Sequence, residues 1–219
     1  MFGKNICLKA EHNDPFNLQV HSIFFTFQGE GPYVGKAAVF IRLSGCNLAC
    51  KFCDTEFDHY KVVSVNKIIQ QVKALRDKCN LVVITGGEPL RQNITYLTEE
   101  LCKEKMIIQI ETNGTIIDNI PLNSQIICSP KNTCGKYNAL SPKILPHIMA
   151  LKFLISADID GYKDIAEIGQ DAYKIPVYIQ PMDQYSEKKN KKNMILTMEI
   201  AKKHNAIISL QIHKILNIE

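Results

Sequence analysis

Short apolar runs recur along the chain, with turns or longer segments between them. Val20–Phe27 is rich in β-branched and aromatic residues, and Ala38–Leu43 is apolar at nearly every position. Further runs of strand length follow at 81–85, 107–111, 125–128, 151–155 and 177–180. Runs of this length predict β-strands, and continuous apolar ones are typical of strands buried on both faces of a parallel sheet.

Several segments between these runs have the spacing of a helix. In Ser64–Lys78 the apolar residues lie on one helical face, and Ser64 is a candidate N-cap. A second helix is predicted at about 94–105. A third is predicted at Met194–His204, after a solvated polar approach at Glu187–Asn193. Strands that alternate with helices predict an α/β protein with right-handed crossovers.

Composition and charge narrow the function classes. The chain has 219 residues, of which 46% are hydrophobic and 22% charged, as expected for one globular domain with a sizeable core. A net charge of +4 is too diffuse to indicate nucleic-acid binding. No stretch has the length of a transmembrane span, and residues 1–14 lack a signal-peptide core. Together with eight cysteines, this predicts a cytoplasmic protein in a reducing compartment.

Three cysteines stand close together directly after the second apolar run. Cys46, Cys50 and Cys53 have C-x3-C-x2-C spacing, so their thiolates can converge on one metal centre without any long-range fold. A structural zinc site or an ordinary four-iron cluster takes four protein ligands. Three ligands leave one iron of a [4Fe–4S] cluster open to a small molecule, and we favour this interpretation.

The other five cysteines are scattered, and free cysteine commonly packs as a small apolar residue. They are Cys7, Cys79, Cys102, Cys128 and Cys134. Zinc stays open as an alternative for the triplet, because Cys7, His59 or Cys79 could supply a fourth ligand. An RNA-binding module whose fold is held by a zinc ion would also need surface aromatic residues clustered with Lys or Arg, and the sequence shows no such pattern.

The triplet, with Phe52 before its last cysteine, resembles the signature of the radical S-adenosylmethionine (SAM) superfamily. The flanking sequence closely resembles one family within it, the 7-carboxy-7-deazaguanine synthases. The segments that carry this resemblance are Phe27-Gln-Gly-Glu-Gly-Pro-Tyr-Val-Gly35, Ala38-Val-Phe-Ile-Arg-Leu-Ser-Gly-Cys46 and Cys53-Asp-Thr55. Later segments extend it to the end of the sequence: Gly86-Gly-Glu-Pro89, Glu111-Thr-Asn-Gly114, Ser129-Pro-Lys131 and Leu210-Gln-Ile-His-Lys214.

The resemblance implies a fold and a set of cofactors. The fold would be a partial TIM-like (β/α)6 barrel of the radical SAM type, with reduced helix content, in a single domain over residues 1–219. Cys46, Cys50 and Cys53 would hold the [4Fe–4S] cluster, and the hydroxyl of Thr55 would bind Mg²⁺. The implied contacts to SAM are Phe52, Cys53, Asp54, Gly87, Ser129, Pro130 and Lys131.

The implied reaction converts 6-carboxy-5,6,7,8-tetrahydropterin to 7-carboxy-7-deazaguanine with loss of ammonia, in queuosine and related deazapurine biosynthesis. Arg42 would bind the substrate carboxylate, because a guanidinium offers a planar fork for it. The other implied substrate contacts are Phe27, Gln28, Gly29, Glu30, Thr85, Glu111, Gln180 and His213.

The same resemblance implies a homodimer that takes electrons from a flavodoxin or ferredoxin and has no nucleic-acid or membrane partner. The nearest alternative is a glycyl-radical activating enzyme, which shares the C-x3-C-x2-C motif and acts on a partner protein. Those enzymes typically carry an Asp-Gly-Pro-Gly type of segment upstream, where this chain has Gln28-Gly-Glu-Gly31.

Overall fold

The computed structural model describes residues 5–12, 14–132 and 135–218. Cys134 therefore lies outside the described residues. The chain divides into two compact units. Unit 1 comprises residues 1–28, 35–112 and 116–126, and unit 2 comprises residues 29–34, 113–115 and 127–219. The single domain expected over residues 1–219 stays a prediction.

Strands and helices alternate through most of the chain, which confirms the α/β class. The strands are β1 (Asn17–Phe27), β2 (Ala37–Leu43), β3 (Lys61–Ser64), β4 (Leu81–Gly86), β5 (Ile107–Thr112), β6 (Gln125–Cys128), β7 (Ile148–Ile155), β8 (Val177–Pro181) and β9 (Ile207–Ile208). The helices are α1 (Val65–Leu75), α2 (Thr95–Lys103), α3 (Gln170–Tyr173), α4 (Glu187–His204) and α5 (Ile212–Leu216). Every predicted strand is present, and β3 and β9 are additional.

Unit 1 contains a mixed sheet in the order β3-β1-β2-β4-β5. Strand β1 pairs antiparallel with both β2 and β3, whereas β2, β4 and β5 are parallel. The parallel pairing confirms the prediction made from the apolar runs at 38–43 and 81–85. Strand β3 was missed because it is short and mostly exposed, so it lacks an apolar signal.

One face of this sheet packs against α1 and α2. Val39 and Ile41 of β2 and Val82 of β4 lie in one core cluster with Ile68 of α1 and Leu97 of α2, and each is almost fully buried. The predicted helical spacing of α1 is confirmed, because its buried residues repeat every three or four positions. Burial of a side chain of this size contributes about 1.5–3 kcal/mol.

The other face of the parallel strands carries polar residues. Arg42 is in register with Thr85, and Val83 is in register with Gln109. Side chains alternate between faces along a strand, so Glu111 shares a face with Gln109. The sheet thus separates an apolar layer under the helices from a polar row at the carboxyl ends of β2, β4 and β5.

Unit 2 contains the parallel strands β7, β8 and β9, with α4 packed against them. The prediction of a polar approach before a helix at Met194 is wrong, since α4 begins at Glu187. Its buried face is largely polar, formed by Asn193, Thr197 and Ile200. Asn193 accepts a hydrogen bond from Ala157 N at 2.8 Å and donates one to Met182 O at 2.7 Å, which satisfies its buried amide. No described helix is both long enough and apolar enough to cross a membrane.

Candidate active site

The three clustered cysteines lie on the loop between β2 and β3, residues 44–60, which we call the cysteine loop. All three are thiols with partly exposed side chains. Cys53 N donates to Cys50 O at 3.1 Å, which closes a tight turn between these two residues. Cys46 Sγ accepts a hydrogen bond from Leu48 N at 3.4 Å. These two short-range hydrogen bonds therefore help to shape the loop that carries the three cysteines.

The first turn of this loop rests on a buried arginine. Arg91 is fully buried and donates from Nη2 to Ser44 O at 3.3 Å and to Gln19 Oε1. The neighbouring Gln92 donates to the same Ser44 carbonyl at 3.2 Å. Two side chains from the turn after β4 thus fix the backbone just before Gly45 and Cys46.

The segment at 5–12 lies along the loop. Leu8 N donates to Cys46 O at 2.7 Å, and Cys7 Sγ lies 3.0 Å from Asn47 O. Asn5 Nδ2 donates to Thr55 O at 3.0 Å. Arg91 Nη1 also reaches this segment, at 3.2 Å from Lys9 O. Nothing in the sequence indicates this contact, because the family resemblance begins only near residue 20.

Electrostatics distinguish Cys46 from an ordinary surface thiol. The pKa of Cys46 is raised to about 11, chiefly by burial and also by the charges of Glu88, Cys50 and Cys53, although the hydrogen bond from Leu48 N opposes the rise. The three thiols belong to the same loop, within eight positions of the chain. A metal centre there must displace the Cys46 proton, as thiolate ligation always requires.

The donors of the loop suit an iron–sulfur cluster. Within residues 5–12, 14–132 and 135–218, no three His, Cys, Asp or Glu side chains are grouped closely enough to hold one metal ion. A cluster spaces its thiolates more widely than a single ion does, and an N–H···S bond such as that from Leu48 is a usual feature of cluster-binding loops.

The Gly-Gly-Glu-Pro turn after β4 packs against the same loop. A Cβ atom on Gly87 would stand 2.2 Å from Gly45 O and 2.8 Å from Cys46 Cβ, so only glycine fits there. Glu88 N donates to Gly45 O at 2.9 Å. The Glu88 side chain is buried and accepts from Thr112 Oγ1 at 2.7 Å and from Leu90 N at 3.0 Å. Gly87, predicted to contact SAM, therefore adjoins the cysteine loop.

The remaining predicted residues on the cysteine loop are near one another. Thr55 Oγ1 lies 3.4 Å from Asp54 Oδ1, so a hydroxyl and a carboxylate oxygen are adjacent. Oxygen ligands are those that Mg²⁺ prefers. Phe52 is partly buried between Cys50 and Cys53 in the chain. The Mg²⁺ role of Thr55 and the SAM roles of Phe52, Cys53 and Asp54 stay predictions.

Unit 1 also brings together several predicted substrate residues. Gln28 is buried, and its Nε2 lies 3.5 Å from Glu111 Oε1. Gln109, which we did not predict, donates to the same carboxylate oxygen at 2.6 Å. Arg42 and Thr85 are cross-strand neighbours on this polar face. The Arg42 guanidinium also lies 5.8 Å from the centroid of the Phe24 ring.

Phe27 differs from these residues in its exposure. It ends β1 with 43% of its surface exposed, and its ring packs edge-on against Phe25 at a centroid distance of 6.3 Å. An exposed ring at a strand end is available for stacking against a flat ligand. Its substrate role stays a prediction.

Unit 2 places two more predicted residues, Glu30 and Gln180, at a buried ion pair. Glu30 Oε2 pairs with Lys152 Nζ, and their side chains are only 18% and 7% exposed. Gln180 Nε2 donates to Glu30 Oε1 at 3.1 Å, and Gln211 Nε2 donates to the same oxygen at 2.8 Å. Lys152 was missed because it lies in a strand whose apolar run gave no hint of a buried charge.

The pKa of Glu30 reflects this network. Burial disfavours ionisation, but the charge and hydrogen bond of Lys152, the hydrogen bond of Gln211 and the charge of His213 outweigh it and lower the pKa to about 2. His213 also packs against Gly29, since a Cβ on Gly29 would stand 1.9 Å from His213 Nδ1. Glu30 is therefore held as a carboxylate.

The Ser129-Pro-Lys131 segment forms a compact turn after β6. Lys131 Nζ donates to Ser129 O at 2.6 Å and to Ser129 Oγ at 2.7 Å. Pro130 is buried between them. These two bonds hold the Lys131 ammonium group beside Ser129. The SAM contacts of Ser129, Pro130 and Lys131 stay predictions.

Comparisons with known proteins match this set of motifs. Residues 40–127, which include the cysteine loop, match the model of the Radical SAM superfamily. Over its full length the chain is 47% identical to the 7-carboxy-7-deazaguanine synthase of Rickettsia prowazekii, covering 96% of that relative. The chain belongs to the 7-carboxy-7-deazaguanine synthase family. The synthase of Rhodospirillum rubrum is 32% identical, with complete coverage of both chains.

Structural comparison shows which known folds the chain resembles. The crystal structure of QueE from Escherichia coli superposes with a TM-score of 0.69 at 24% identity, covering 89% of this chain and 94% of that one. A structure of TYW1 with a lysine-pyruvate adduct superposes with a TM-score of 0.53 at 13% identity. These likenesses confirm the predicted α/β fold of the radical SAM type.

Proposed function

We propose that this protein is a radical SAM enzyme that converts 6-carboxy-5,6,7,8-tetrahydropterin to 7-carboxy-7-deazaguanine with loss of ammonia, in queuosine biosynthesis. The observation that carries the proposal is the C-x3-C-x2-C loop, in a chain that is 47% identical over its full length to a 7-carboxy-7-deazaguanine synthase. The alternative of a glycyl-radical activating enzyme has no comparable support among the relatives described above.

The cysteine loop would hold the cofactors. Cys46, Cys50 and Cys53 would bind a [4Fe–4S] cluster as thiolates, and the backbone at Gly87, which packs against this loop, would contact SAM. When bound, the cluster and SAM together supply one-electron reduction and a carbon-centred radical that abstracts hydrogen. The chain itself keeps this loop in place through Arg91, Gln92 and residues 5–12.

The polar face of unit 1 binds the substrate in this proposal. Arg42 pairs with the substrate carboxylate, where a guanidinium gives two parallel charge-assisted hydrogen bonds. Thr85 offers a hydroxyl beside it. Glu111 accepts from an N–H donor of the pterin, and Gln28 and Gln109 orient that carboxylate.

In unit 2, Glu30 and Gln180 contribute acceptors that are already oriented. The ion pair with Lys152 keeps Glu30 ionised through the whole working pH range, because the pKa of Glu30 is about 2. His213, next to Gly29, offers a ring nitrogen to the pterin. Preorganised groups of this kind lose little conformational entropy when a ligand binds.

Three further features belong to the proposal. Thr55, beside Asp54, contributes to a Mg²⁺ site, the electron donor is a flavodoxin or ferredoxin, and the enzyme is a homodimer of the cytoplasm. Titration of the reconstituted enzyme with Mg²⁺ tests the first of these: the Thr55→Val variant should need more Mg²⁺ for half-maximal rate. Equal Mg²⁺ requirements in the two proteins would contradict the Thr55 assignment.

An anaerobic assay tests the reaction itself. The cluster is reconstituted, and SAM, Mg²⁺, a reductant and 6-carboxytetrahydropterin are added. We expect 7-carboxy-7-deazaguanine by mass spectrometry, with SAM largely unconsumed. The Cys50→Ala protein serves as the control, and it should lose both the cluster absorbance and turnover. SAM cleavage to deoxyadenosine without the deazaguanine would reject the substrate and favour the activating-enzyme alternative.

A further inference from the structure

The amide of Gln109 is a buried polar group whose hydrogen bonding is only half complete. Gln109 lies on β5, two residues before Glu111, and its side chain is fully buried. Its Nε2 donates to Glu111 Oε1 at 2.6 Å. Its Oε1 has no hydrogen-bond partner in the part of the chain that the structure describes.

Glu111 determines which end of the amide faces it. A carboxylate can only accept hydrogen bonds, so the amide nitrogen must point to Glu111 and the oxygen must be the unpaired atom. Buried acceptors are nearly always hydrogen-bonded in native proteins, because an unpaired acceptor loses its hydrogen bonds to water and gains none in return. An unpaired buried acceptor beside an active site therefore indicates a donor that arrives with a ligand.

The position of Gln109 agrees with such a ligand. Gln109 is in register with Val83, and Arg42 is in register with Thr85 on the same face. Arg42, the proposed partner of the substrate carboxylate, and Glu111 therefore lie on the same face of the sheet as Gln109. No cofactor role assigned above involves Gln109.

We infer that Gln109 is a substrate-binding residue whose Oε1 accepts a hydrogen bond from an N–H of the carboxypterin, while its Nε2 orients Glu111. This inference rests on the proposed function. The reduced pterin carries N–H donors at ring positions N5 and N8 that the oxidised pterin lacks. Both forms carry the donors of the pyrimidine ring, so the two ligands together reveal which edge Gln109 binds.

Binding measurements on reconstituted, SAM-bound protein test the inference. Gln109→Met keeps the length of the side chain and removes both polar atoms, and Gln109→Asn keeps the amide but withdraws it by one methylene. We expect either variant to bind 6-carboxytetrahydropterin about ten- to a hundredfold more weakly in anaerobic calorimetry. The Asn variant keeps the test possible if the Met variant folds poorly.

A matched control separates binding from stability. Gln170 is also buried, but both ends of its amide are satisfied, by Ile168 N at 2.9 Å and Ala166 O at 2.7 Å. Gln170→Met should lower the melting temperature and leave the affinity for the carboxypterin unchanged.

The two pterins locate the donor that Gln109 binds. If the Gln109 variants lose affinity for 6-carboxypterin as well as for the reduced form, the donor is on the pyrimidine ring. If they lose affinity for the reduced form alone, the donor is at N5 or N8.

A double-mutant cycle distinguishes direct contact from an effect through Glu111. If Gln109 touches the substrate, Gln109→Met weakens binding further in a Glu111→Gln background. No further loss in that background, or wild-type affinity in both Gln109 variants, would overturn the inference while the wild type still binds and turns over the carboxypterin. If the wild type binds neither pterin, the proposed function fails and the inference falls with it.

Discussion

Arg91 packs directly against Gly45 at the start of the cysteine loop. A Cβ atom on Gly45 would stand 2.5 Å from Arg91 Nε and 2.8 Å from Cζ, and Gly45 has a φ of +82°. Gly45→Ala therefore meets both backbone strain and a steric clash. We expect a loss of about 2–4 kcal/mol in the free energy of unfolding by urea, and less iron bound after reconstitution.

Gly35 provides the matched control for this prediction. Its φ is +83°, but a Cβ atom there would meet nothing within 4 Å. Gly35→Ala should therefore show the cost of backbone strain alone and retain full iron content. If the two variants lose equal stability and bind equal iron, Arg91 does not constrain the loop in the way that its contacts indicate.

The buried pair of Glu30 and Lys152 predicts acid-sensitive stability. The pKa of Glu30 falls from 4.5 to about 2 on folding, so the ionised form stabilises the fold above pH 4.5. That stabilisation, about 3 kcal/mol, is lost as the pH falls from about 5 towards 2. In urea unfolding across this pH range, the free energy of unfolding should fall more steeply for the wild type than for Glu30→Gln.

Neutral pH offers a second test of the same pair. Glu30→Gln leaves the Lys152 charge buried without its counter-ion and should cost about 3–5 kcal/mol, whereas Glu30→Gln with Lys152→Met should cost less. Asp160→Asn is the control, because Asp160 pairs with Lys163 on the surface and is 94% exposed. A double variant less stable than Glu30→Gln alone would argue against an unpaired charge as the cause.

Contact between Gly29 and His213 predicts a specific rescue. Gly29→Ala would place its Cβ 1.9 Å from His213 Nδ1 and must displace that ring. We expect a loss of about 1–3 kcal/mol in the free energy of unfolding, together with weaker pterin binding. Adding His213→Ala should restore most of the stability but not the binding. If the double variant is as unstable as Gly29→Ala alone, the His213 ring is not the group that opposes the added methyl.

Arg42 is expected to act on substrate affinity alone. Arg42→Ala removes the proposed partner of the substrate carboxylate and should weaken binding of 6-carboxytetrahydropterin about ten- to a hundredfold. The absorbance of the reconstituted cluster should not change. Arg76→Ala removes an arginine whose Nη1 bonds Glu104 O at 3.2 Å and should leave affinity intact. Unchanged affinity in Arg42→Ala would remove that residue from the carboxylate site.

Features carried by short stretches of sequence were predictable. The strands could be located because apolar runs of four to eight residues signal burial whatever their partners are. The cysteine loop could be recognised because its three thiols lie within eight positions. The start of helix α4 was predicted too late in the chain because residues 187–193 are all polar, and its buried Asn193 is satisfied only by Ala157 and Met182.

Three relationships depended on the tertiary structure. Lys152 pairs with Glu30 across 122 positions of the chain, and Arg91 reaches Ser44 across 47. The unpaired oxygen of Gln109 appears only when every neighbour of the side chain is known. By itself, the sequence determined most of the strands, the cysteine loop and the family, because each depends on residues that are local or in a recognisable order. Only the fold decided which buried charges and amides meet, because hydrogen bonding and desolvation depend on distances between residues far apart in the chain.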